Sequence, residues 1–119
     1  MKLSYAETLD DCYRKAETKM QTQACLKDEL ASVKVAYDDI LKRGLMHANN
    51  VDREKKSKNS AQTFNNANKA YDQFVLDECS HIRSMYGSGA EADNAFLACQ
   101  INLIRSRTGI LENRYLTDK

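Results

Sequence analysis

Apolar side chains recur at three- and four-residue steps along almost the whole chain, and that period predicts helices rather than strands. Between about residues 4 and 16, Tyr5, Leu9, Cys12, Tyr13 and Ala16 share one face of a short helix. Thr18-Lys19-Met20-Gln21 then has the form of a capping box, in which a Thr hydroxyl and a Gln side chain satisfy the orphan amides of a helix start. The chain therefore breaks and restarts there. From Met20 onward Ala24, Leu26, Leu30, Val33, Tyr37, Ile40, Leu41 and Leu45 keep the period, predicting a long amphipathic helix that ends near His47. Residues 48–60 hold almost nothing to bury and read as a polar connection or the exposed start of the next helix. Phe64, Ala67, Tyr71, Phe74, Val75, Cys79, Ile82 and Met85 form the best-patterned segment, which is expected to be the core helix. It stops at Tyr86-Gly87-Ser88-Gly89-Ala90, where two glycines permit backbone angles that a helix cannot continue through. A last helix places Ala92, Phe96, Cys99, Leu103, Arg107, Ile110 and Leu111 on one face and frays near Tyr115. The fold class is all-α: a small antiparallel helical bundle, one domain over residues 1–119, with no repeat and no strand-like alternation.

Four cysteines change this picture, because small domains with limited cores use disulfides. Three connectivities exist for four cysteines. On one straight helix Cys12 and Cys25 would stand ~20 Å apart, far beyond the ~5.5 Å Cα separation that a disulfide needs. A turn near Glu17 and Thr18 brings them together, and the glycine turn does the same for Cys79 and Cys99. The sequential pairing Cys12–Cys25 and Cys79–Cys99 is the expectation. Paired cysteines imply an oxidising compartment, although Met1-Lys2-Leu3-Ser4-Tyr5 opens no apolar run of signal-peptide length. The reading favoured is a signal already removed, with Met1 an added start; the alternative is four reduced thiols in a cytosolic bundle. No stretch approaches the ~20 apolar residues of a transmembrane helix.

Charge and chemistry narrow the function by exclusion. With 18 basic and 17 acidic residues the net charge is +1, so no global field steers the chain toward nucleic acid or an anionic membrane. The small cluster Lys55, Lys56, Lys58 lacks the interleaved aromatics of a nucleic-acid surface. His47 and the Cys79-Ser80-His81 run show no paired metal-ligand spacing, and packing or pairing accounts for all four cysteines, which leaves none for Cys–His catalysis. Asp10-Asp11, Asp38-Asp39 and Asp77-Glu78 are sequence neighbours that point apart on a helix. Gly87-Ser88-Gly89 lacks the Lys of a phosphate loop. No enzyme signature, cofactor motif or metal site emerges.

Tyr71, Phe74, Cys79, Gly87, Gly89, Cys99, Leu103, Arg107, Thr108 and Leu111 together form an aromatic–x–x–aromatic step before a cysteine, a glycine turn, and then Cys–x3–Leu–x3–Arg–Thr–x2–Leu. This pattern resembles the lysozyme inhibitor LprI family of exported bacterial helical proteins, with Asn68 and Tyr71 where the family often has Gln and Trp. The earlier pair Cys12 and Cys25 ahead of a long helix extends the resemblance over nearly the whole chain. Val75 and Leu76 stand where the family has an Arg-Asp pair. The resemblance implies a non-enzymatic periplasmic or secreted protein that binds a peptidoglycan-cleaving muramidase. Such an inhibitor occupies a cleft whose catalytic groups are carboxylates, so it needs a rigid protrusion with donors or a cation. Arg83, Tyr86, Gly87, Ser88 and Gly89, held between Cys79 and Cys99, are the candidate partner-binding loop. Two other readings stand beside it: an immunity protein that neutralises a toxin from a competing bacterium, and a structural or adaptor bundle, dimeric through leftover apolar face on the second helix.

Overall fold

The computed structural model describes residues 5–57 and 59–116, with the side chains of residues 5–8 and 10 outside that description. The inward-facing role expected of the Tyr5 side chain therefore lies outside the described residues, as does Lys58 of the basic cluster. Four helices form: α1 (Tyr5–Arg14), α2 (Lys19–Lys55), α3 (Asn59–Met85) and α4 (Ala90–Tyr115). The molecule measures 56 × 33 × 17 Å, and α2 alone, 37 residues at ~1.5 Å per residue, spans the long dimension.

The break before α2 forms as the capping box dictates. Thr18 Oγ1 accepts from the Gln21 amide at 3.1 Å, while Gln21 Oε1 accepts from the amides of Thr18 and Glu17 at 3.3 and 2.6 Å. Three orphan donors are thereby satisfied by two side chains. The fold-back carries α1 against α2 and sets the Cα atoms of Cys12 and Cys25 5.5 Å apart in a disulfide. Cys12 is buried; Tyr13, expected on the inner face, is half-exposed because α1 presents only one narrow stripe to α2.

Helix α2 buries Thr22, Leu26, Leu30, Val33, Tyr37, Ile40, Gly44, Ala48 and Asp52, a stripe stepped by threes and fours. Ala24 falls outside it and is exposed. The helix runs to Lys55, two turns beyond the expected end near His47. Asp52 is the reason: its carboxylate accepts from the amides of Ser60 at 2.8 Å and Ala61 at 3.0 Å, and from the Ser57 hydroxyl at 3.2 Å. The polar tail of α2 thus caps the start of α3, and these bonds, the Ala61 amide foremost, hold the Asp52 carboxyl below its ordinary range. Lys56 closes α2 in the left-handed region at φ 53°. What reads as a connection is helix on both sides of a tight corner.

Cross-helix contacts fix the topology. Lys19, Glu29 and His47 of α2 meet Asn94, Arg105 and Tyr115 of α4 in that order, so α2 and α4 run parallel. Tyr37 meets Asp72 while Asp52 meets Ser60, and Tyr71 meets Leu103 while Arg83 meets Asp93, so α3 runs antiparallel to both. Helix α4 touches the other three helices and supplies Ile101, Ile104 and Leu111 to the core beside Leu26, Leu30, Val33 and Ile40. Leu26, Ile101 and Leu111 are fully buried, each worth ~1.5–3 kcal/mol. The core helix is therefore α4 and not α3. Helix α3 buries Phe64, Asn68, Val75 and Cys79, while Ala67, Phe74 and Met85 of its expected inner face are exposed. Ile110 of α4 is likewise half-exposed.

At Gly44 side chains of α3 and α4 pack directly on the backbone of α2. A Cβ there would stand 2.3 and 2.8 Å from the Phe64 ring and 3.0 Å from the Tyr115 ring, so only glycine admits the edge-on Phe64–Tyr115 pair at 6.0 Å.

Candidate partner-binding site

The second disulfide joins the last turns of α3 to the first half of α4, with Cys79 and Cys99 Cα atoms 5.4 Å apart. Among the described residues all four cysteines are paired, as the sequential connectivity requires. Beyond the disulfide the chain turns through residues 86–89. Gly87 and Gly89 take φ of 81° and 92°, a region that disfavours side chains, so the turn depends on both glycines. The Tyr86 and Gly87 amides donate back to the carbonyls of Arg83 and Ser84 at 3.1 and 3.3 Å, closing α3. Tyr86, Gly87, Ser88 and Gly89 are all exposed and form a ridge at one end of the bundle.

Arg83 does not join that ridge. Its guanidinium donates to Asp93 Oδ1 at 2.8 Å and lies 4.2 Å over the Phe96 ring, so the cation expected to face a partner instead clamps α3 to α4 below the turn. The sequence signals for this were Asp93 and Phe96, ten and thirteen residues on, across a turn that folds back on itself. Glu91 in the same helix turn meets Lys19 at 3.6 Å. Both acids at the start of α4 thus have a cation, and no side chain caps Gly89. The first amides of α4 lack intrahelical acceptors by the geometry of any helix start.

Beside the ridge lies a groove of about 640 Å³ that sequence reading missed, because its walls come from three separate segments. Tyr13 and Lys19 line it from the α1–α2 corner, Glu78, Ile82 and Tyr86 from the end of α3, and Asn94, Ala95, Ala98 and Asn102 from α4. The pKa of the Tyr13 phenol is raised, first by burial and then by the nearby Tyr86 and Glu91. Among the described residues no cluster of His, Cys, Asp and Glu could hold a metal ion, and no helix is long and apolar enough to cross a membrane.

A second polar cluster sits midway along the α3–α4 seam. Arg107 Nη2 donates to Asn68 Oδ1 at 3.1 Å and lies 5.5 Å from the Tyr71 ring centroid, and the Tyr71 hydroxyl donates to the Leu103 carbonyl at 2.6 Å. Thr108 turns inward and donates to the Ile104 carbonyl at 2.7 Å. Burial raises the Tyr71 pKa, while Arg107 opposes that rise. The Arg107–Asn68 and Tyr71–Leu103 bonds hold α3 to α4.

The model of the family described as lysozyme inhibitor LprI matches residues 11–111. The chain belongs to the lysozyme inhibitor LprI family. No curated protein and no solved structure matches it. The matched span runs from the residue before Cys12 to Leu111, so it takes in both disulfides, the glycine turn and the α3–α4 seam. For an LprI chain the function is non-enzymatic binding, with lysozyme the protein partner that the family implies. The signature residues Asn68, Tyr71 and Arg107 bond across the α3–α4 seam and Thr108 bonds within α4, so here the family pattern marks the frame that carries the ridge.

Proposed function

We propose that the protein is an exported, periplasmic inhibitor of a lysozyme-type muramidase, and that it binds through the ridge Tyr86–Gly89. The observation that carries this reading is the pairing of LprI membership with an exposed turn fastened at its base by Cys79–Cys99 and by Arg83–Asp93. A muramidase cleft holds two carboxylates across the scissile bond. The ridge offers groups that suit them: the Ser88 hydroxyl, and the orphan amides at the positive end of the α4 dipole. With Glu91 and Asp93 each beside a cation, their charge opposes this approach only weakly. Fastening matters because an ordered loop loses less conformational freedom on binding. The immunity-protein and dimeric readings draw no support from these observations.

The test is a lysis assay with the oxidised protein and a lysozyme. Stoichiometric loss of muramidase turnover is expected, and reduction of both disulfides is expected to abolish it. Undiminished turnover at saturating protein overturns the reading.

A further inference from the structure

The groove next to the ridge has mainly apolar walls, and the buried polar atoms left unpaired along it are acceptors. Asn94 is buried at 4% exposure, and its Nδ2 donates to the Lys19 carbonyl at 3.2 Å. That bond fixes the amide: only the NH2 can face a carbonyl, so Oδ1 is the atom left over. Asn94 Oδ1 is buried and has no donor, and neither has Asn102 Oδ1 about two turns further along α4 in the same wall. Buried acceptors without partners cost free energy, and in a native fold two of them lining one groove call for an explanation. Glu78 on the rim has no ion-pair partner among the described residues, whereas Glu91 is already beside Lys19. Two half-exposed rings, Tyr13 and Tyr86, complete the mouth.

Lys19 and Glu91 offset each other on one side, so the unpaired Asn94 and Asn102 oxygens and Glu78 suit an occupant with several donors, positive charge and a flat face. An ammonium meets the charge but carries a tight hydration shell into a groove walled in part by Ile82, Ala95 and Ala98. A guanidinium is planar and weakly hydrated, stacks on tyrosine, and spreads five donors over separated acceptors. Tyr86 belongs to both the ridge and the groove, so whatever sits on the ridge stands at the groove's mouth.

We infer that the groove between the α1–α2 corner, α3 and α4 receives an arginine side chain of the bound partner protein, held by Asn94, Asn102 and Glu78 between the rings of Tyr13 and Tyr86. The inference rests on the inhibitor reading for the partner's identity, though not for the chemistry of the groove.

The test has two arms. In the first, the full-length oxidised protein is titrated with the capped tripeptide acetyl-Ala-Arg-Ala-amide and with its neutral citrulline analogue while the Asn94 and Asn102 side-chain amide signals are followed by NMR. The arginine peptide is expected to shift both in a saturable way; the citrulline peptide is not, and Glu78→Lys is expected to remove the shift. Equal shifts with the two peptides, or shifts confined to other surfaces, overturn the inference. In the second arm a lysozyme is titrated with wild type and Glu78→Lys. Since Glu78 is exposed, the variant keeps its fold, and a loss of affinity of about tenfold or more is expected. Inhibition with undiminished affinity by Glu78→Lys overturns the groove while the inhibitor reading stands. Saturable arginine binding without any binding of lysozyme sustains the groove and removes the inhibitor reading.

Discussion

Arg83 and Asp93 are bonded at 2.8 Å across the glycine turn, and this pair turns the cation that the sequence points toward a partner into the lower fastening of the loop. Both side chains are 43% exposed, so the ion pair adds only ~0.2–1 kcal/mol, with ~0.5–1 kcal/mol more from the guanidinium over Phe96. Arg83→Ala is therefore expected to lower Tm by ~3–8 °C. Asp93→Ala in the Arg83→Ala background should cost less than it does alone, which a double-mutant cycle by thermal melting checks. An unchanged Tm together with lost lysozyme binding would return Arg83 to the interface.

Gly44→Ala sets two effects against each other. Alanine gains ~1 kcal/mol of helix propensity over glycine, but its Cβ would overlap the Phe64 ring, and overpacking costs ~1–3 kcal/mol. The ring is buried and edge-on to Tyr115, so it has little room to move, and packing wins. Urea unfolding is expected to show a less stable Gly44→Ala protein. In a Phe64→Leu background the same substitution should become neutral or stabilising.

The two disulfides close loops of similar length, with separations of 13 and 20 residues, so each constrains the unfolded chain by ~3 kcal/mol. Their native surroundings differ. Cys12–Cys25 ties down a ten-residue helix whose contacts are mainly with α2, whereas Cys79–Cys99 lies inside the seam of two long helices. Cys12→Ala/Cys25→Ala is expected to raise amide exchange across α1 while α3 and α4 stay protected. Cys79→Ala/Cys99→Ala is expected to raise exchange in the turn and at the adjoining ends of α3 and α4.

Tyr37 supplies the pH dependence. Its phenol donates to Asp72 Oδ1 at 3.1 Å, and burial, with the Asp72 charge and that hydrogen bond, pushes its pKa up to about 12, Arg107 working weakly against them. A folded pKa above the ordinary 10.0 means that the native state holds the proton longer. The stabilisation is fully present below pH ~10 and is lost as pH rises through about 12. Denaturant unfolding between pH 9 and 12 should show a decline that Tyr37→Phe flattens.

Much of the fold is legible in residues whose neighbours are local. The capping box Thr18–Gln21, the period of α2 and the turn glycines act within a few residues of themselves, and the sequential cysteine pairing follows from those turns. The rest depended on partners far along the chain. Asp52 reads as polar linker until Ser60 and Ala61 place their amides on it, which is why α2 continues past His47. Helix α4 mixes Asn94, Arg105 and Arg107 into its inner surfaces, so its apolar pattern is weaker than that of α3 although it is the central helix. In the same way the turn was visible in Gly87 and Gly89, but the groove was not. Asn94 and Asn102, which line it, are residue types that carry no apolar signal.

Binding through the ridge is tested most directly by calorimetric titration of a lysozyme with wild type and with Tyr86→Ala/Ser88→Glu. Both positions are exposed, so Tm should hold, while the new carboxylate would face the acidic cleft unpaired. The ridge account predicts an affinity loss of about a hundredfold or more. Binding of the folded variant within about threefold of wild type would contradict it.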